Sequence, residues 1–108
     1  MPTVNIFYEE QVKELNDLSK KLKTYLAEKL SCGDIKLSSE EISIRLIQID
    51  GGDMIGQVEV EIKAHAFKER VEKQDEICND VRSYIIKEYS SLGDVRVWLI
   101  LSELGHSW

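Results

Sequence analysis

The sequence predicts an α+β, two-layer fold, a duplicated β-α-β unit closing into one four-stranded mixed sheet with two helices on one face. Three observations lead there. Two segments alternate apolar and polar residues with period two, and each is followed by apolar residues recurring at three- and four-residue steps. The same order of elements returns after about 55 residues, in a short chain. Right-handed crossovers then make the strands within each half parallel and put both helices on the same side.

The first strand is predicted over Thr3–Tyr8, where Val4, Ile6 and Tyr8 alternate with Thr3, Asn5 and Phe7. Val12, Leu15, Leu18, Leu22, Leu26 and Leu30 follow as the stripe of an amphipathic helix, with Gly33 as a fitting stop. A polar connection, 35–41, leads to a second strand over 42–50 that is apolar on both faces and closes at Gly51-Gly52. After Gly56 the third strand sets Val58, Val60, Ile62, Ala64 and Ala66 on one face and Glu59, Glu61, Lys63 and His65 on the other. A second helix is predicted from about Lys68 to Ser91, with Val71, Ile77, Cys78, Val81, Ile85 and Tyr89 as its stripe. Gly93-Asp94 ends it, and a fourth strand is predicted over 95–102.

The expected core face takes Val4, Ile6, Ile42, Ile44, Leu46, Val58, Val60, Ile62, Val95, Val97, Leu99 and Leu101. The face without helices would carry Phe7, Ile47, Ile49, Trp98 and Ile100 among Arg45, Glu59, Glu61, Lys63 and Arg96. So many large apolar groups left in water mark an interface, which predicts a homo-oligomer closed over that face.

At 108 residues the chain is read as one domain, residues 1–108 with halves 1–50 and 57–108, able to bury a core without metal or disulfide staples. Hydrophobic residues at 43% and charged residues at 31% fit an ordinary globule. A formal charge of −6 leaves no basic stripe to neutralise phosphates, which argues against a nucleic-acid partner. No apolar run approaches a membrane span and no signal-peptide pattern opens the chain, so a cytoplasmic protein is expected. Cys32 and Cys78 have no metal-type spacing and read as reduced thiols.

The candidate chemistry starts at Met1-Pro2. Trimming of Met1 would leave Pro2 with a free secondary amine on a strand end. A free α-amine with a pKa of about 8 is only about a tenth neutral at pH 7, and a drop of about one unit makes it about half neutral. If Met1 stays, the Pro2 nitrogen is an amide and no base. Should the halves meet antiparallel through strands one and three, Pro2 comes near His65–Phe67, Lys68 and Arg70. The end of strand four, followed by His106 and Trp108, would arrive at the same edge. Cations and helix-start amides there suit a carboxylate or an enolate. Glu61 and His65 share a strand face but make a poor metal site by themselves.

The Met-Pro start, the doubled β-α-β order, the segment 67–77 opening the second helix, and the ending Val97-Trp98-Leu99-Ile100-Leu101-Ser102-Glu103 with a late Trp108 together resemble the tautomerase superfamily. They are most similar to its single-chain, double-repeat members, such as the carboxymethyl-hydroxymuconate isomerase-like proteins and other small tautomerase-like proteins. That resemblance implies a homotrimer in which the N-terminal proline, here Pro2, moves a proton between oxygen and carbon of a small carboxylated keto–enol substrate, without metal or organic cofactor. It implies arginines holding the substrate carboxylate, with Arg45 matching a strand-two arginine of relatives. Lys68, Arg70, His106 and Trp108 are the further candidates for substrate binding. Where relatives carry Gly-Arg after strand one, this chain has Glu9-Glu10, and at the second helix it reads Lys68-Glu69-Arg70. Two other readings stay open: a catalytically silent oligomeric binding or scaffold protein on the same sheet, and a ferredoxin-like small-molecule or interaction domain with strand one between strands three and four.

Overall fold

A computed structural model describes residues 2–103. Its strands are β1 (Thr3–Tyr8), β2 (Ser43–Gln48), β3 (Val58–His65) and β4 (Val95–Ser102). The sheet order is β2-β1-β3-β4, with β1 parallel to β2, β3 parallel to β4, and the halves joined antiparallel through β1 and β3. Strand one therefore lies between strands two and three. The ferredoxin-like order, which needs it between three and four, is overturned.

Helix α1 (Glu14–Leu30) presents Leu15, Leu18, Leu22, Leu26 and Leu30 to the sheet, all fully buried. They meet Val4, Ile6, Ile42, Val58, Val60, Ile62, Val95 and Leu99, while Ile44, Leu46, Val97 and Leu101 pack at the margin of the same core. The expected core face is thus occupied as the alternation dictates.

The second helix departs from expectation. It is two helices, α2 (Lys68–Glu72) and α3 (Gln74–Glu88), followed by a 3₁₀ turn over Ser90–Leu92. Lys73 breaks the run with φ −109° and ψ 16°. The buried stripe of α3 runs through Ile77, Val81 and Ile85. Extended backwards it reaches Gln74 after one turn and Arg70 after two, since two turns of about 3.6 residues span about seven positions. Val71 is accordingly 51% exposed and Arg70 only 3% exposed. Placing Val71 on the stripe was wrong by one position, because an apolar residue was preferred over the period.

On the helix-free face the large side chains are less exposed than expected. Phe7, Ile47, Ile49 and Trp98 are half-buried, and Ile100 stands further out. Asn5 lies between Arg45 and Glu61 in register and donates from Nδ2 to Glu61 Oε1 at 3.1 Å. Because an ionised carboxylate only accepts, that bond fixes the amide's orientation. Asn5 Oδ1 is left buried without a donor among the described residues.

Several polar contacts tie the two halves on the helix side, among them Lys29 with Asp80, Tyr25 with the Asp80 carbonyl, and Tyr89 with Asp17. Tyr89 Oη donates to Asp17 Oδ2, with Lys21 3.5 Å from the same oxygen. The Tyr89 bond holds the Asp17 carboxyl below its ordinary 3.8, while burial and Asp17 push the Tyr89 phenol far above its ordinary 10.0. A carboxyl lowered in the fold stabilises above its ordinary value and loses that effect as pH falls. A phenol raised in the fold stabilises below its ordinary value and loses it as pH rises. Thermal unfolding of Tyr89→Phe should therefore fall short of the wild-type midpoint most between about pH 5 and 9, with the gap closing below 3.8 and above 10.0.

Candidate active site

Pro2 is buried and continues the inward alternation of Val4, Ile6 and Tyr8. Its carbonyl accepts from Ser43 N at 3.1 Å, which fixes it at the mouth of the β1–β2 pair. One residue on, Thr3 stands opposite Ser43 on one side and Lys63 on the other. The antiparallel β1–β3 pairing thus brings the start of β1 to the end of β3. His65 pairs with Ser102, and Ala66 N donates to Ser102 O at 3.0 Å, so β4 finishes at this same end. Lys68, exposed, opens α2 just beyond.

Arg70 is the most constrained group of this corner. Its Nε donates to Leu30 O at 2.9 Å and a terminal nitrogen donates to His65 O at 3.0 Å. The guanidinium stacks over Phe67 at 4.7 Å, and Phe67 in turn leans on His65. Burial lowers the Arg70 pKa, and the Cys32 thiol beside it works in the opposite direction. The bond to Leu30 satisfies a carbonyl at the α1 C-terminus, where a cation also complements the helix dipole. Gln74, the other polar residue on this inward stripe, donates to Leu99 O at 2.8 Å. Both residues spend their side chains on backbone carbonyls. A strictly kept helical period, read through polar as well as apolar positions, is the signal that would have found them.

The other candidates are dispersed. Arg45 pairs with Asn5, three residues along from Pro2 and on the opposite face of the sheet, and is exposed. At about 3.3 Å per residue that is roughly 10 Å from Pro2 along the strand, so the chain does not bring its own Arg45 to Pro2. His106 and Trp108 lie outside the described residues. His65 packs on Phe67, and among the described residues no group of three or more His, Cys, Asp or Glu could hold a metal ion.

A cleft of about 250 Å³ lies at the opposite end of the sheet, between Val12, Gly56, Val58 and Leu92, with Glu9 and Glu10 at its rim. Two carboxylates at its mouth repel an anionic ligand, so this cleft does not suit a carboxylated substrate.

No protein-family model and no curated protein sequence matches the chain. Among solved structures it is similar to the macrophage migration inhibitory factor-like protein of Entamoeba histolytica (TM-score 0.62, 10% identity, 98% of this chain and 95% of that one). It is also similar to a member of the cis-3-chloroacrylic acid dehalogenase family (TM-score 0.65, 10% identity, 94% and 75%). A third is a fused 4-OT symmetric trimer (TM-score 0.58, 18% identity, 94% and 87%). These neighbours are tautomerase-superfamily proteins, and at such identities the likeness is one of fold. The chain has the tautomerase-superfamily fold.

Arg70→Ala leaves the buried Leu30 carbonyl without its side-chain donor, while the His65 carbonyl keeps the Phe67 N–H, and should lower unfolding free energy by about 2 kcal/mol. Arg70→Lys, which can still reach one carbonyl, should lower it by less. Urea denaturation at neutral pH reads both.

Proposed function

We propose that this protein is a cofactor-independent tautomerase or isomerase acting on a small carboxylated keto–enol compound, with Pro2 as general base once Met1 is removed. The observation that carries this reading is the position of Pro2. It is buried at the start of β1 in a tautomerase-type sheet, beside the ends of β3 and β4 and the start of α2.

Burial disfavours an ammonium and so favours the neutral amine that can act as a base. In the proposed reaction the Pro2 nitrogen takes the enol proton, the resulting enolate reprotonates on carbon from the same nitrogen, and the amine is restored. Lys68 forms no ion pair among the described residues and would pair with a substrate carboxylate or with charge building on oxygen. Arg70, occupied by Leu30 and His65, is a lesser candidate for that role. Arg45, remote from Pro2 in its own chain, would have to be supplied by a neighbouring copy.

A homo-oligomer, taken here as a cytoplasmic trimer, completes this reading. The half-exposed Phe7, Ile47, Trp98 and Ile100 and the orphaned Asn5 carbonyl support closure over the helix-free face. The second reading, a silent scaffold on the same sheet, gains from the scarcity of free cations at Pro2: Arg70 is tied to backbone and Arg45 lies elsewhere.

The test combines intact mass with turnover of a simple enol such as phenylenolpyruvate. A chain lighter by one methionine, with turnover that falls at least about 100-fold in Pro2→Ala, is the expected result. A retained Met1, or turnover unchanged by Pro2→Ala, would favour the scaffold.

A further inference from the structure

The helix-free face carries Arg45, Glu59, Glu61, Lys63 and Arg96, in register with one another across the four strands. Most of these charges are partnered within the chain. Glu61 accepts from Asn5 Nδ2 at 3.1 Å and lies 3.7 Å from Lys63 Nζ. Arg96 donates to Asp94 Oδ2 from Nε at 3.2 Å and from a terminal nitrogen at 3.1 Å. One charge of each sign remains: among the described residues neither Arg45 nor Glu59 forms an ion pair. Arg45 is exposed on the edge strand β2, whereas Glu59 is half-buried on β3 between Phe7 and Arg96. They do not meet within the sheet. β1 separates their strands, setting them about 9.6 Å apart across it, and the register adds two residues, about 6.6 Å, along it. Asn5 and Phe7 stand between them on the same face. A carboxylate withdrawn from water without a cation is unfavourable, and Phe7, Ile47 and Trp98 make its surroundings apolar.

We infer that a second copy of this chain covers the face, and that Arg45 of one copy pairs with Glu59 of the next. The inference rests on the homo-oligomer of the preceding reading and names the charge pair that joins its copies. Charge complementarity selects this occupant. The face leaves one cation and one anion unmet, and a second copy of the same face supplies an anion and a cation in return. A partner of one sign would satisfy only one of the two. Because Arg45 and Glu59 lie on different strands, each copy gives a cation to one neighbour and takes one from the other, as in a head-to-tail ring. Closing the apolar patch excludes water from the pair and strengthens the attraction. Arg45 is thereby assigned to assembly, which leaves Lys68 as the cation for a substrate at Pro2.

Sedimentation velocity over a range of concentrations, on the full chain and on charge reversals, tests the pair. Arg45→Glu and Glu59→Arg should each raise the concentration at half-assembly by at least about tenfold. The double reversal should return it to within about threefold of the wild type, because the pair is restored with its signs exchanged. Ile47→Asp, which sets a charge in the apolar patch, should dissociate the copies by itself. A wild-type chain that stays monomeric would overturn the homo-oligomer and the charge pair together, as would an assembly that Ile47→Asp leaves intact. An assembly that Ile47→Asp breaks but neither single reversal weakens would overturn the charge pair alone. A double reversal no stronger than the single ones would do the same. Should Glu59→Arg not fold, Arg45→Glu decides together with the wild type in about 1 M salt, where screening shortens to roughly 3 Å. Weaker assembly in both is expected, and assembly unchanged in either would overturn the pair.

Discussion

The structure depends on the antiparallel pairing of β1 with β3. Each β-α-β half, taken alone, is a two-stranded parallel pair with its helical crossover, too small to bury its own apolar face. Pairing Ile6 with Val60 and Val4 with Ile62 fuses the halves into one sheet and one core. The same pairing sets the chemistry. It turns the start of the first half towards the end of the second, so that Pro2, His65, Lys68, Arg70 and Ser102 gather at one end although they come from distant parts of the chain.

That end of the molecule is held in part by polar side chains that reach backbone carbonyls. Arg70 joins the C-terminus of α1 to the end of β3, and Gln74 joins α3 to β4. Desolvating a guanidinium is costly, and it is offset here by hydrogen bonds to the Leu30 and His65 carbonyls and by stacking on Phe67. The break at Lys73 belongs to the same arrangement. It lets α2 tuck Arg70 inward, while α3 resumes over the sheet with Ile77, Val81 and Ile85.

Much of the architecture was legible in the sequence because it depends on period alone. The alternation at Val58–Ala64 and the leucine stripe of α1 dictated their elements and their buried faces. The strand order was legible only as a condition, since both a tautomerase-type and a ferredoxin-like sheet accept the same element order. The burial of Arg70 was not legible for a physical reason: apolar Val71 beside it competes for the inward position, yet the stripe through Ile77 and Val81 runs through position 70. Arg45 was readable as a helix-free-face residue. Its distance from Pro2 followed only once the β1–β2 register, pairing it with Asn5, was in hand.

The arrangement around β1 is open to one direct measurement, nuclear Overhauser contacts between backbone protons in the folded protein. The account predicts cross-strand contacts linking Asn5 with Glu61 and Ile6 with Val60, together with parallel-type contacts from Val4 to Ile44. Contacts from β1 to β4 in place of those from β1 to β2 would contradict it, and with it the gathering of Pro2, Lys68 and Arg70 at one end of the sheet.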